Sequence, residues 1–244
     1  MFKANELSKN FGGVKAVQDF SCHVDMGEIV GIIGPNGAGK TTILNLISAI
    51  TIPDKGIVYL GDEKLSGKKK WEIARLGVAR TFQNIRLFQS LDVIDNIMVV
   101  LGNAEENKGK STAKLRAEAK DLLDEFGWND KTNISPSFLP YGKQRRVELI
   151  RAMALKPKLL MLDEPAAGLN PNEVQEIMHY IRMINEKYGV GIIIIEHRLE
   201  VIMGLCNRVY VISFGEEIAV GTPEEIQRDP KVIEAYLGTE DGYA

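Results

Sequence analysis

The chain has 244 residues, 45% hydrophobic and 26% charged, enough to bury a full core in one large domain or in a core with an inserted subdomain. Its net charge of −3 argues against a dedicated nucleic-acid binder, which carries a basic excess. The start Met1-Phe2-Lys3-Ala4-Asn5-Glu6 has no apolar secretory region, and no run approaches the ~20 apolar residues of a membrane span, so a membrane role would come through a partner.

Residues 1 to about 33 read as β structure, with Phe20, Cys22 and Val24 alternating with Ser21, His23 and Asp25 as on a half-buried strand. Cys22 and Cys206 lack metal-ligand spacing and are expected as buried free thiols in a reducing compartment. The apolar run Ile29-Val30-Gly31-Ile32-Ile33 leads into Gly34-Pro35-Asn36-Gly37-Ala38-Gly39-Lys40-Thr41-Thr42, which has the spacing G-x-x-x-x-G-K-[ST] of a phosphate-binding loop. Ile43, Leu44, Leu46, Ile47 and Ile50 then predict the apolar face of a helix. Gly37 and Gly39 allow a turn tight enough for successive N–H groups to face phosphate oxygens, and the helix adds its positive end. Lys40 supplies a point charge for the β- and γ-phosphates, and the Thr41 hydroxyl can ligate Mg²⁺. These features predict a site for a nucleoside triphosphate.

Lys68-Lys69-Lys70 reads as a solvated loop. Gln83, in Arg80-Thr81-Phe82-Gln83-Asn84, follows an expected strand, and its amide could reach both the metal and the attacking water. Residues 84–140 carry helical patterns only, Asp92 to Leu101 and then Leu115, Ala119, Leu122, Leu123 and Phe126, and are expected as an inserted helical subdomain. Leu159 to Leu162, Val190 to Ile195 and Val209 to Ile212 are continuous apolar runs, as in a parallel sheet covered on both faces. Val174, Ile177, Met178, Ile181 and Ile184 trace a helix among them, giving the βαβ order of an α/β P-loop core.

The run Leu159-Leu160-Met161-Leu162 ends in Asp163-Glu164. Alternation on a strand sends the two carboxylates to different places: Asp163 to Mg²⁺, Glu164 to the attacking water. His197 follows a later strand at the same sheet edge, where an imidazole donor can bind a γ-phosphate oxygen. Nothing around His23 or His179 suggests a ligand role.

Taken together, these motifs resemble the nucleotide-binding subunit of an ATP-binding cassette (ABC) transporter over nearly the whole chain. The resemblance implies that Phe11, before Gly12-Gly13, stacks on adenine and that Val17 joins Gly34–Thr42 in binding nucleotide. It makes Gln83 the glutamine loop, His197 the switch histidine, and Leu139-Pro140-Tyr141-Gly142-Lys143-Gln144-Arg145 the signature segment that covers the partner subunit's ATP. Catalysis then falls to Glu164, His197 and Gln83, and Mg²⁺ to Thr41, Gln83 and Asp163. Three residues depart from the family pattern: Pro140 stands for a serine, removing a hydroxyl, Tyr141 for the first glycine of the signature, and Asn170 for an aspartate, keeping an acceptor but losing a charge.

The implied fold is a P-loop (ABC ATPase) core, residues 1–83 and 141–244, with an N-terminal antiparallel β subdomain and the insert 84–140. Met161 to Pro171, Arg80 to Gln83 and Val232-Ile233-Glu234-Ala235-Tyr236-Leu237-Gly238 are similar to the ATPases of branched-chain amino-acid importers. Urea or amide importers and lipopolysaccharide exporters are the alternatives within the family; a soluble ABC ATPase or a P-loop kinase are those outside transport. The implied partners are a second ABC ATPase in a homodimer or heterodimer, integral membrane permease subunits and, indirectly, a solute-binding protein, without nucleic acid. The implied place is cytoplasmic, on the inner face of the membrane.

Overall fold

A computed structural model describes residues 1–237. Strands β1 (Phe2–Phe11) and β2 (Val14–Val24) form a hairpin turned by Gly12 and Gly13, both with positive φ. Phe20, Cys22 and Val24 are buried while Ser21, His23 and Asp25 are exposed, the alternation of a strand with one wet face. With β4 (Lys55–Leu60) and β5 (Glu63–Lys64) the hairpin makes an antiparallel sheet of order β2-β1-β4-β5.

The second sheet has the order β10-β9-β3-β8-β7-β6. Its strands β3 (Ile29–Ile33), β6 (Val78–Arg80), β7 (Leu159–Asp163), β8 (Gly191–Ile195) and β9 (Arg208–Ser213) are parallel, and β10 (Glu216–Gly221) closes one edge antiparallel. Every residue of β3, β7 and β8 is buried. Alternation splits them between two cores. Leu160, Leu162, Ile192, Ile194, Val209 and Val211 face the helices. Leu159, Met161, Ile193, Ile195, Tyr210 and Ile212 face the first sheet and helix α1 (Lys40–Ile47). Each such side chain stabilises the fold by about 1.5–3 kcal/mol, which is why these strands read as unbroken apolar runs. Ile50, expected on α1, lies past its end and is half exposed.

Helix α2 (Lys70–Arg75) begins at the last of the three lysines expected as a loop, with Lys69 as its N-cap, and Lys69 Nζ lies 4.9 Å over the Trp71 ring. Between β6 and Pro140 the described residues hold helices only, chiefly α3 (Val93–Asn103) and α4 (Thr112–Glu125). On and just after α4, Ala119, Leu123 and Phe126 are buried, and Leu115 and Leu122 pack at the margin. Helices α5 (Tyr141–Met153), α6 (Pro171–Tyr188) and α7 (Leu199–Leu205) return to the core, followed by α8 (Pro223–Arg228) and α9 (Pro230–Leu237). Val174, Ile177, Met178, Ile181 and Ile184 of α6 are all buried.

Cys22 and Cys206 are buried free thiols. Burial, and then the charge of Glu196, pushes the Cys206 thiol up to about 12, and burial pushes Cys22 up further. No described helix is long and apolar enough to cross a membrane. Gly238, which ends the importer-like C-terminal motif, lies outside the described residues.

Candidate active site

The segment Gly34–Gly39 bridges β3 and α1 under tight steric limits. A Cβ on Gly34 would sit 2.0 Å from the Ile212 carbonyl oxygen, and one on Gly39 2.3 Å from that of Ala16. Gly37 has open space but a left-handed φ of 79°, which glycine adopts without strain. The α1 N-cap, Gly39, supplies no side-chain acceptor, so the first N–H groups of the helix remain available to a ligand. Lys40 is only 6% exposed and its Nζ donates to the carbonyls of Gly34 (2.7 Å) and Pro35 (2.8 Å). Burial pushes the Lys40 ammonium below its ordinary value, opposed by the nearby charges of Glu164 and Asp163.

The two strand-end carboxylates do diverge. Asp163 closes β7 and is buried, with Oδ2 accepting from Arg80 Nη2 at 2.8 Å. Arg80 Nη1 also donates to Asn45 Oδ1 (2.8 Å) and Ser48 Oγ (3.0 Å), tying α1 to β7. Glu164 leaves the strand with φ 48°, and its N–H donates to the Ile195 carbonyl. This left-handed step adds to strand alternation in turning the second carboxylate away. Such a conformation costs about 1–3 kcal/mol and persists only where the surroundings enforce it. Glu164 Oε2 accepts from Gln83 Nε2 at 2.9 Å, and Oε1 lies 3.1 Å from His197 Nε2. Three segments distant in sequence therefore meet at one carboxylate.

Glu196, buried beside His197, accepts from the N–H groups of Ala166 (2.7 Å) and His197 (3.1 Å) and fixes the two loops against each other. A cleft of about 360 Å³ runs along the glycine-rich loop, with Glu164 and His197 on one side and Val14, Ala16 and Phe214 among its other walls. Thr41 and Thr42 line it as well. Val17 is buried beneath it, with Cγ2 3.6 Å from where a Gly39 Cβ would lie. Phe11 is not among the lining residues: it is 48% exposed at the end of β1, with Lys9 Nζ 5.6 Å over its ring.

None of Leu139–Lys143 lines this cleft. Pro140 is the N-cap of α5 and gives no side-chain cap. The Tyr141 ring packs on Gly168, where a Cβ would lie 3.3 Å from Cε1, and a Cβ on Gly142 would strike the Glu173 carboxylate at 2.5 Å. Lys143 pairs with Asp130 at 2.7 Å. Arg145 turns inward: Nη1 donates to the Phe82 carbonyl (2.7 Å) and to Glu148 Oε2 (2.9 Å), and Nη2 to the Gln83 carbonyl and to Tyr141 Oη (3.0 Å). Glu148 Oε1 accepts from the Arg86 N–H at 3.2 Å. The loop that carries Gln83 is thus held from α5. Asn170 caps α6, its Oδ1 accepting from the N–H groups of Asn172 and Glu173.

No group of three or more His, Cys, Asp or Glu among the described residues could hold a metal by itself. Thr41, Gln83 and Asp163 offer a hydroxyl, an amide and a carboxylate, hard oxygen donors that suit Mg²⁺ completed by ligand phosphates and water. Sequence reasoning did not single out Arg80, Glu196 or Phe214 as site residues, and gave Arg145 no role beyond its place in the signature segment.

The profile of the ABC transporter family matches residues 17–167, and that of the branched-chain amino acid ATP-binding cassette transporter matches 216–242. The high-affinity branched-chain amino acid transport ATP-binding protein LivG of Escherichia coli (strain K12) is 40% identical over 98% of both chains. Among solved structures, the ADP conformation of the ATP-binding cassette MJ1267 superposes with a TM-score of 0.85 at 29% identity, covering 98% of each chain. The dimeric cassette MJ0796 has the same fold, with a TM-score of 0.81 at 24% identity over 91% of this chain and 99% of that one.

Proposed function

This chain belongs to the ABC transporter family, and we propose from that premise that it powers the import of branched-chain amino acids across the cell membrane. It binds nucleotide and is an ATPase, the ATP-hydrolysing subunit of a transporter. The solute assignment is supported by the C-terminal match over 216–242 and by end-to-end similarity to LivG. The site itself carries no information on the solute, which need never touch an ATPase subunit.

The observation that carries the hydrolytic reading is the convergence of Gln83 and His197 on Glu164 beside the glycine-rich loop. In this reading the N–H groups of Gly37–Thr42 and the positive end of α1 receive the phosphates. Lys40 exchanges its carbonyl partners for phosphate oxygens. Mg²⁺, when bound, neutralises phosphate charge, and Thr41, Gln83 and Asp163 would hold it. Glu164, held between an amide and an imidazole, takes the proton of the attacking water. His197 donates to the γ-phosphate. Arg80 fixes the orientation of the Asp163 carboxylate and keeps that buried charge paired.

Because Leu139–Lys143 lies outside the chain's own cleft, we assign it to the ATP of a second ATPase, this chain or a paralogue, packed head to tail. Pro140 leaves that contact to the Gly142 N–H and the α5 dipole. A unit charge pair at 4 Å is worth about 4 kcal/mol at an effective dielectric of 20, so loss of the γ-phosphate reopens the pair. The clamped loop 82–86 and the helical insert pass that opening to permease subunits, which keep the chain at the inner face of the membrane. A solute-binding protein outside delivers the cargo.

Two measurements test this. ATP hydrolysis without an added acceptor should rise as the square of protein concentration before saturating; full turnover per chain at any dilution would refute the shared site. Proteoliposomes carrying the cognate permease should couple hydrolysis to uptake of leucine, isoleucine or valine, and coupling to urea instead would overturn the solute.

A further inference from the structure

The turn between β9 and β10 is built against its own sequence. Ser213 pairs with Glu216, leaving Phe214 and Gly215 as a two-residue loop with φ 47° and 82°. Two consecutive positive φ values define a type I′ hairpin turn, whose first position favours Asn, Asp or Gly. A bulky aromatic there is strained. The ring gains nothing from the chain in return, being 85% exposed.

That strained perch is fixed to the phosphate loop. The Gly215 N–H donates to the Ala38 carbonyl at 2.9 Å, and the Gly215 carbonyl accepts from the Gln18 N–H at 2.8 Å. The Phe214 carbonyl accepts from Gln18 Nε2 at 3.3 Å. A Cβ on Gly215 would lie 2.9 Å from the Ala16 oxygen, so the turn has no slack. The ring therefore stands at the rim of the cleft with Val14, which is also exposed. Lys40, Glu164 and His197 engage the terminal phosphates. A triphosphate seated on the loop must send its nucleoside away from those groups.

We propose that Phe214 is a base-contacting residue of the nucleotide cleft, stacking its ring on the purine at the rim. This rests on the nucleotide reading of the cleft given above. It adds a second aromatic to Phe11, whose hairpin partner is Val14. Stacking is tolerant of base identity, because every base has a π-face.

The discriminating variant is Phe214→Asn, since asparagine is the preferred residue at this turn position and the fold should hold or gain stability. ATP affinity measured by calorimetry on the full chain should fall by roughly 5- to 150-fold, the range of one base–aromatic stack. Affinity for inorganic tripolyphosphate, which has no base, should not change. Phe214→Trp should keep ATP affinity. An ATP Kd within twofold of the parent overturns the proposal, as does an equal loss for tripolyphosphate. Lys40→Ala, run in parallel, must weaken both ligands; if it weakens neither, the cleft reading itself fails.

Discussion

Arg145 and Glu148 stand one turn apart on α5 and form a 2.9 Å ion pair in which each side chain is 2% exposed. Between them they hold the carbonyls of Phe82 and Gln83 and the N–H of Arg86. Helix α5 and the loop that carries Gln83 are therefore one mechanical unit. Burial raises the Glu148 carboxyl above its ordinary value, and Arg145 is the main opposing influence. Arg145→Ala strands a buried acid and should destabilise the chain by about 3–5 kcal/mol in urea unfolding. Replacing both residues with apolar ones of similar volume should recover most of that loss. A single-variant loss below about 1 kcal/mol would deny the pair its structural weight.

Glu164→Gln retains the hydrogen-bonding outline of the side chain but removes its basicity. Its turnover should fall by about 10²- to 10⁴-fold with ATP affinity preserved. Sedimentation with ATP should then show a persistent dimer. Parental turnover would mean that another group accepts the proton.

Asn170 accepts two N–H groups at the start of α6. Asn170→Ala should cost about 1 kcal/mol, lowering Tm by about 2–4 °C for a domain of this size. Asn170→Asp should match the parent or exceed it by about 0.3–1 kcal/mol through the helix dipole. A Tm for the alanine variant equal to the parent's would rule out the cap as a stabilising contact.

Glu125 at the end of α4 pairs with Lys187, and hydrogen bonds from Lys187 and then Tyr188 hold its carboxyl below the usual carboxylate range. A depressed folded-state pKa contributes stability above the unfolded value of ~4.3, and that contribution is lost as pH falls through the folded value. Glu125→Gln should therefore cost about 0.2–1 kcal/mol at pH 7 and nothing once the pH is well below 4. Unfolding at the two pH values checks the sign; a gap that widens in acid would reverse it.

The sequence was most legible where structure is local. Gly34–Thr42 is contiguous, and β7, β8 and β9 are long enough in isoleucine, leucine and valine to declare two covered faces. The strand β10 is silent because it is an edge with no buried residue and its register shifts between Glu217 and Ala219, which breaks the alternation. The short elements β4, β5, α8 and α9 carry too few periods to register. In the site, Gln83, Glu164 and His197 were found by motif. Arg80 has no signal of its own in the sequence, because its partner Asp163 is 83 residues away and the pairing exists only once β6 lies beside β7. Phe214 carries no motif, and its place depends on a turn conformation that its own residue type disfavours.

The two native thiols suit this chain to spectroscopy. Cys22 and Cys206 are sealed from solvent, and burial raises both far above the pH used for maleimide coupling. A single cysteine introduced at exposed Lys120 on the insert, or at Met26 on the core, would be the one reactive sulfur in the folded molecule. Spin labels at that pair would report the distance between the insert and the core in each nucleotide state, with neither native thiol removed.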